Sequence, residues 1–252
     1  MATTSPLPPV NVPILVGVTG KRKVRLDELG VTEDLVRLKL RRAFALLQEL
    51  APNSPKLLLC GMADGVDEIA AKLVIEAVED GNPGQRQFRN WSIVGLLPMP
   101  EEAFVDDFAP GEWWYHALDD EQRKLIRKMK LQTLARPSLP EAGSPAPTPS
   151  TAEDLRRTPG GSNPERTAHY EQLGMVLAER STVLIAVMPE DEKPDRLGGT
   201  AQVVAHRLNG WRLGWPPALS SDVASRSSGR QVGYGSRSTA MFCQKIDNLV
   251  AQ

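Results

Sequence analysis

Three short segments combine glycine with hydroxyl, ammonium, guanidinium or carboxyl groups in a way that suits capture of an anion. The first is Gly17-Val18-Thr19-Gly20-Lys21-Arg22. Its glycines let backbone N–H groups turn toward a ligand. Thr19 offers a hydroxyl and Lys21 a point charge, and Arg22 could grip a phosphate or carboxylate with two donors. A solvated turn with ordinary surface cations has the same composition, so this segment alone decides nothing. The second is Gly61-Met62-Ala63-Asp64-Gly65-Val66-Asp67. It reads as the opening of a helix, where free N–H groups make an anion or ribose site. Ala63 and Gly65 allow close approach. Asp64 reads first as a helix cap. Asp67 could orient the loop or accept from a ribose hydroxyl. The third is Leu197-Gly198-Gly199-Thr200-Ala201. Gly198 and Gly199 supply a nest of N–H groups, and Thr200 could donate to phosphate.

None of the three is the GxxxxGK[ST] phosphate loop, and none is GxGxxG after the first strand. A P-loop ATPase and a standard dinucleotide dehydrogenase are both disfavoured. The two cysteines, Cys60 and Cys243, form no CxxC, and His116, His169 and His206 form no HExxH. Neither a disulfide framework nor a metal site is expected. The net charge of −1 gives no field for DNA, RNA or an anionic membrane, so nucleic acid is disfavoured as a partner. No apolar run reaches the ~20 residues that span a bilayer. The Pro/Ser/Thr-rich start reads as no signal peptide, which makes the cytoplasm the expected compartment.

The segments need elements to hold them, and the pattern supplies these as strands alternating with helices. Strands are expected at Ile14 to Val18, Lys56 to Cys60, Trp91 to Leu97 and Thr182 to Val187, each short and apolar. Helices are expected at Thr32 to Leu50, Ala63 to Val78, Glu101 to Phe108, Asp119 to Ala135, Arg166 to Arg180 and Ala201 to Leu208. The helix from Asp119 rests on acidic residues at its start and basic ones later. A late strand is placed near Gln231 to Tyr234. Residues 1–11 read as a flexible start. Residues 136–163, rich in proline, read as a disordered insertion that cannot be core. Strand–helix units lie on both sides of it, so residues 12–252 are read as one domain. The expected class is α/β, with a doubly wound, mainly parallel sheet. Ligands of such sheets bind at the carboxyl ends of the strands, which is where all three glycine segments fall.

The ordered set of motifs resembles the SLOG superfamily of Rossmann-like domains, which includes the lonely-guy phosphoribohydrolases and the DNA-processing protein DprA. The matching pieces are VGVTGKR (Val16 to Arg22), CGMADGVDEIAA (Cys60 to Ala71), LLPMP (Leu96 to Pro100), YEQLG (Tyr170 to Gly174), STVLIAV (Ser181 to Val187) and GGTAQVV (Gly198 to Val204). The resemblance implies a nucleotide-type ligand and no required cofactor. The implied contacts are Thr19, Gly20, Lys21, Arg22, Gly61, Ala63, Gly65, Asp67, Pro98, Gly198, Gly199 and Thr200. The lonely-guy enzymes carry a glutamate pair after their Gly-Thr. Here Ala201, Gln202, Val203 and Val204 follow Thr200, and no carboxylate stands in that place. The departure points to the sensor-like branch, with no catalytic residue assigned and a homo-oligomer or separate effector protein as partner.

Two rivals follow from the same resemblance. One is a nucleoside monophosphate phosphoribohydrolase using Asp67 or Glu171. The other is a DprA-like single-strand DNA binder, which near-zero charge and 5% aromatic content disfavour. Trp113, Trp114 and Tyr115 could stack on a base, but such a cluster is more often core.

Overall fold

The computed structural model describes residues 12–79, 90–131, 151–156, 163–194, 198–209 and 241–245. In chain order the elements are β1 (Ile14–Gly20), α1 (Lys23–Glu28), α2 (Glu33–Leu50), β2 (Lys56–Cys60), α3 (Val66–Glu79), β3 (Trp91–Leu97), α4 (Glu101–Phe104), α5 (Asp120–Lys124), β4 (Ile126–Lys130), α6 (Pro164–Arg180), β5 (Val183–Met188), α7 (Thr200–Asn209) and β6 (Met241–Lys245). The strands form one sheet in the order β4-β3-β2-β1-β5-β6, with every pairing parallel.

Successive strand residues point to opposite faces, and each face has its own helices. Val16, Val18, Leu58, Ile93 and Ile185 pack with Val36, Leu40 and Phe44 of α2 and with Ile69 and Leu73 of α3. Leu59, Val94, Leu96 and Leu184 pack with Leu173 and Leu177 of α6 and Val203 of α7. Helices on both faces explain why the central strands read as continuous apolar runs rather than alternating ones. The expected doubly wound α/β class is the observed one. Phe44 and Trp91 join α2 to β3, with ring centroids 4.6 Å apart.

Local signals set several boundaries. Thr32 caps α2 by accepting from the Leu35 N–H at 3.3 Å. Lys56 is fully buried at the start of β2, and its ammonium donates to the Ala51 carbonyl at the end of α2. It thereby satisfies one of the carbonyls that a helix end leaves open. Burial holds the Lys56 pKa below its ordinary value.

Two sequence expectations fail here. The helix expected over Asp119 to Ala135 is only α5. Asp119 does open it with a capping box to Gln122, but the chain then extends as β4, pairing Ile126 with Ile93 and Lys130 with Leu97. Basic residues late in a helix and basic residues along an edge strand look alike in sequence. Ile126 is buried and the rest of β4 is exposed. Arg127, Lys128 and Lys130 suit an edge that must not recruit another strand. The second failure lies in the proline-rich insertion. Leu155 is fully buried against the core, so part of that segment belongs to it. Residues 136–150 and 157–162 of that region lie outside the described residues, as do 1–11, the end of the expected helix at 132–135 and the strand expected near 231–234.

Among the described residues, no helix is long and apolar enough to cross a membrane.

Candidate functional site

The sheet order reverses at β1. Strands β2, β3 and β4 extend one way from it, and β5 and β6 the other. The helices that follow also part. The chain after β1 runs to the face that α2 and α3 cover, and α7 after β5 lies on the opposite face. A crevice at the carboxyl ends of β1 and β5 is the consequence, and it is where open α/β sheets hold their ligands.

All three glycine segments meet there. The first and second touch through backbone. The Val66 N–H donates to the Lys21 carbonyl at 3.2 Å. Gly65 has φ +80°, and a Cβ on it would stand 2.4 Å from that carbonyl oxygen. Side chains reinforce the contact, since Arg22 Nε donates to Asp64. The third segment reaches the first through Thr200, whose hydroxyl donates to the Gly20 carbonyl at 3.0 Å. It rests on α6 at Gly198, where φ is +72° and a Cβ would stand 2.7 Å from that of Tyr170.

The second loop is the most heavily braced. Met62 adopts φ +64° without being glycine, a conformation that the surroundings must impose. Its carbonyl accepts from the indoles of Trp113, at 2.9 Å, and Trp114, at 3.1 Å. Trp114 also donates to the Ala63 carbonyl at 3.1 Å. Trp113, Trp114 and Tyr115 are buried, as the core reading of this cluster expected. Replacing Trp113 with Phe keeps an aromatic ring but removes the donor and leaves a small cavity. It should cost about 2–4 kcal/mol in urea unfolding. A cost below a few tenths would mean that the indole bonds do not hold the loop.

Beneath the loop, the Asp67 carboxylate accepts from the Ala63 and Gly61 N–H groups, so it orients the backbone as one reading of the sequence anticipated. Burial is the chief cause of a pKa pushed up to about 7. The Ala63 N–H opposes this, Asp64 adds to it, and Arg22 opposes it. The folded state therefore holds a proton that the unfolded chain has released between about pH 4 and pH 7. The stability that Asp67 contributes is full below that window and is lost as pH rises through it. With allowance for solvent at its half-buried edge, the margin of the wild type over Asp67→Asn should shrink by about 2 kcal/mol between pH 4.5 and pH 7.5. Urea midpoints of both proteins at the two pH values would show this. A constant margin would place the carboxyl pKa in its ordinary range.

Residues that sequence reasoning did not single out complete the surroundings. Asp107 lies after α4, and its carboxylate forms an ion pair with Arg166 at 2.7 Å and accepts from the Tyr170 hydroxyl. Its carbonyl accepts from Arg22 at 3.1 Å. The Arg22 guanidinium also lies 4.9 Å from the centre of the Phe108 ring. Arg166 is buried and donates to the Ala103 carbonyl at 2.9 Å and to the Leu155 carbonyl. Burial, with Asp107 adding, holds the Tyr170 phenol far above its usual pKa. His169 Nδ1 lies 2.7 Å from the Pro98 carbonyl, which makes Nδ1 the protonated nitrogen. Among these, only Tyr170 belongs to a motif readable in sequence, YEQLG.

The three glycine segments are thus brought together, but several of their donors already have internal partners. Lys21 pairs with Glu192 of the loop after β5. Arg22 pairs with Asp64, which is therefore a salt-bridge partner rather than the helix cap it resembles in sequence. The Gly198 N–H donates to the Gln202 side chain at 2.5 Å. Gln202 in turn approaches Glu171, at 3.5 Å. Thr19 is buried within β1. Gly199 is half-buried and Pro98 offers its carbonyl to His169. Cys60 is fully buried with its thiol against the Asp67 carbonyl, as a small hydrophobe with a raised pKa would be.

Among the described residues, no group of three or more His, Cys, Asp or Glu side chains is placed to hold a metal ion. In comparison with known proteins, the chain matches no family model and no curated sequence.

Proposed function

We propose that this chain binds a nucleotide or nucleotide derivative as a sensor-like domain of the SLOG type. It would pass the binding event on by self-association or to an effector protein. The supporting observation is the convergence of the Lys21, Gly65 and Gly198 loops at the β1–β5 reversal, each held to another by direct hydrogen bonds. A helix start, α7, faces the same crevice, and its first-turn amides favour phosphate. The chemistry of α7 argues for binding over hydrolysis. Gln202 is buried and donates to Glu171 while accepting from Gly198. An amide in that role positions a loop but cannot take a proton from water.

Equilibrium dialysis against nucleoside mono- and triphosphates, NAD, ADP-ribose derivatives and cyclic nucleotides, read by mass spectrometry, tests the proposal. One intact species should be enriched on the protein side. Enrichment of none would remove the reading.

The placement of Glu171 beside the third loop favours one alternative, a nucleoside monophosphate phosphoribohydrolase with Glu171 near the glycosidic bond. In the same dialysis that enzyme would release free base, and Glu171→Gln would stop the release while leaving the protein folded.

A further inference from the structure

Lys21 is the cation that the first glycine loop offers, and it is not open to solvent. Its side chain is 12% exposed, and what covers it is Glu192, whose own side chain is 26% exposed. The two residues are 171 positions apart in sequence. They meet because the loop after β5 folds back over the end of β1. One carboxylate oxygen of Glu192 takes the ammonium. The other, Oε2, is buried and makes no hydrogen bond among the described residues. A desolvated carboxylate oxygen without a donor is costly, so the Glu192 carboxylate is only half served where it sits. The neighbouring cations have other carboxylates, Asp64 for Arg22 and Asp107 for Arg166. Those acids sit on the loop that opens α3 and in the segment after α4, both packed into the frame of the site. Glu192 sits on a surface loop bearing Glu190, Asp191 and Lys193.

We propose that Glu192 occupies the anion position of the site, and that a ligand's phosphate takes the Lys21 ammonium by displacing it. This rests on the nucleotide-binding reading and names what governs that site. A phosphate has three oxygens to a carboxylate's two and can serve Lys21 and first-turn amides of α7 at once. Glu192 serves Lys21 with one oxygen and leaves the other unserved. The ligand class is therefore a compact, multiply charged anion, and a neutral nucleoside gains nothing at this position. Binding also releases the 189–194 loop, which gives the domain a surface that differs between the free and bound states.

Inorganic pyrophosphate is the probe, because it tests the anion position without reference to a base. In titration calorimetry Glu192→Gln should bind it about tenfold or more tightly than the wild type, the equivalent of removing one competing half-buried charge. Lys21→Met should abolish that gain when combined with Glu192→Gln. In the wild type, pyrophosphate should speed hydrogen exchange in the 189–194 backbone. Equal affinity in the wild type and Glu192→Gln would overturn the proposal, as would a gain that survives Lys21→Met or a loop whose exchange does not change. Those results would leave the nucleotide reading standing if the dialysis panel still enriched a nucleotide. An empty panel would remove the reading whatever pyrophosphate did.

Discussion

Gly65→Ala is expected to lower stability by about 3 kcal/mol or more and to abolish the nucleotide binding proposed above. Left-handed backbone costs an alanine roughly 1–2 kcal/mol wherever it occurs. At Gly65 a second cost is added. The new methyl would meet the Lys21 carbonyl oxygen at 2.4 Å and the Lys23 nitrogen at 2.7 Å. Both are backbone atoms, so neither can swing aside as a side chain would, and the first and second loops must separate. Gly111 supplies the control. It has φ +79°, and nothing lies within 4 Å of where a Cβ on it would stand. Gly111→Ala should therefore cost only the backbone term. Urea denaturation of both variants measures the difference. Equal losses would show that the two loops tolerate separation, and the tight contact would lose its role in shaping the site.

Asp107→Ala is expected to be as damaging, at about 3–5 kcal/mol, for an electrostatic reason. The Asp107 and Arg166 side chains are 10% and 8% exposed. Removing one member of a buried pair strands the other charge away from water. The Tyr170 hydroxyl loses its acceptor in the same step. Because Arg166 also holds the Ala103 and Leu155 carbonyls, the damage should spread to α4 and to residues 151–156. Adding Arg166→Met to Asp107→Ala should recover part of the loss, since the stranded charge is gone. A double variant less stable than Asp107→Ala would mean that Arg166 acts mainly through its carbonyl contacts.

Much of the frame was legible in the sequence because its signals are local. Lys56–Cys60 and Trp91–Leu97 fall at their expected bounds, since short β-branched and leucine runs ending at Gly61 or Pro98 have few other solutions. Thr32 announced α2 by its side chain. The strand β4 was not legible. Ile126 to Lys130 has the charges of a helix end, and only pairing with β3 makes it a strand, a fact absent from its own residues. The candidate site divides in the same way. Glycine and basic residues at strand ends mark the loops, because the backbone needs them there. Their internal partners are invisible. Asp107 lies 85 positions from Arg22 and Glu192 lies 171 from Lys21, with Arg166 between them in the chain. Nothing near those three residues in sequence predicts the contact. Leu155 was lost for a related reason, as prolines on both sides masked a single core residue.

The central strand has a temporal consequence. β1 sits between β2, which follows it closely, and β5, which the chain reaches far later, and the Thr200 bond to Gly20 closes across 180 residues. A ribosome making this chain from its N-terminus releases β1 to β4 long before β5. Those strands can pair as they emerge, but one edge of β1 waits, apolar and unpaired, until Val183–Met188 arrives. Non-local closure of this kind is slow, and open edges in the interval invite association between nascent chains. The crevice itself does not exist until that last exchange is complete. A ligand of the proposed site could therefore favour only the final docking of β5 and not the earlier steps.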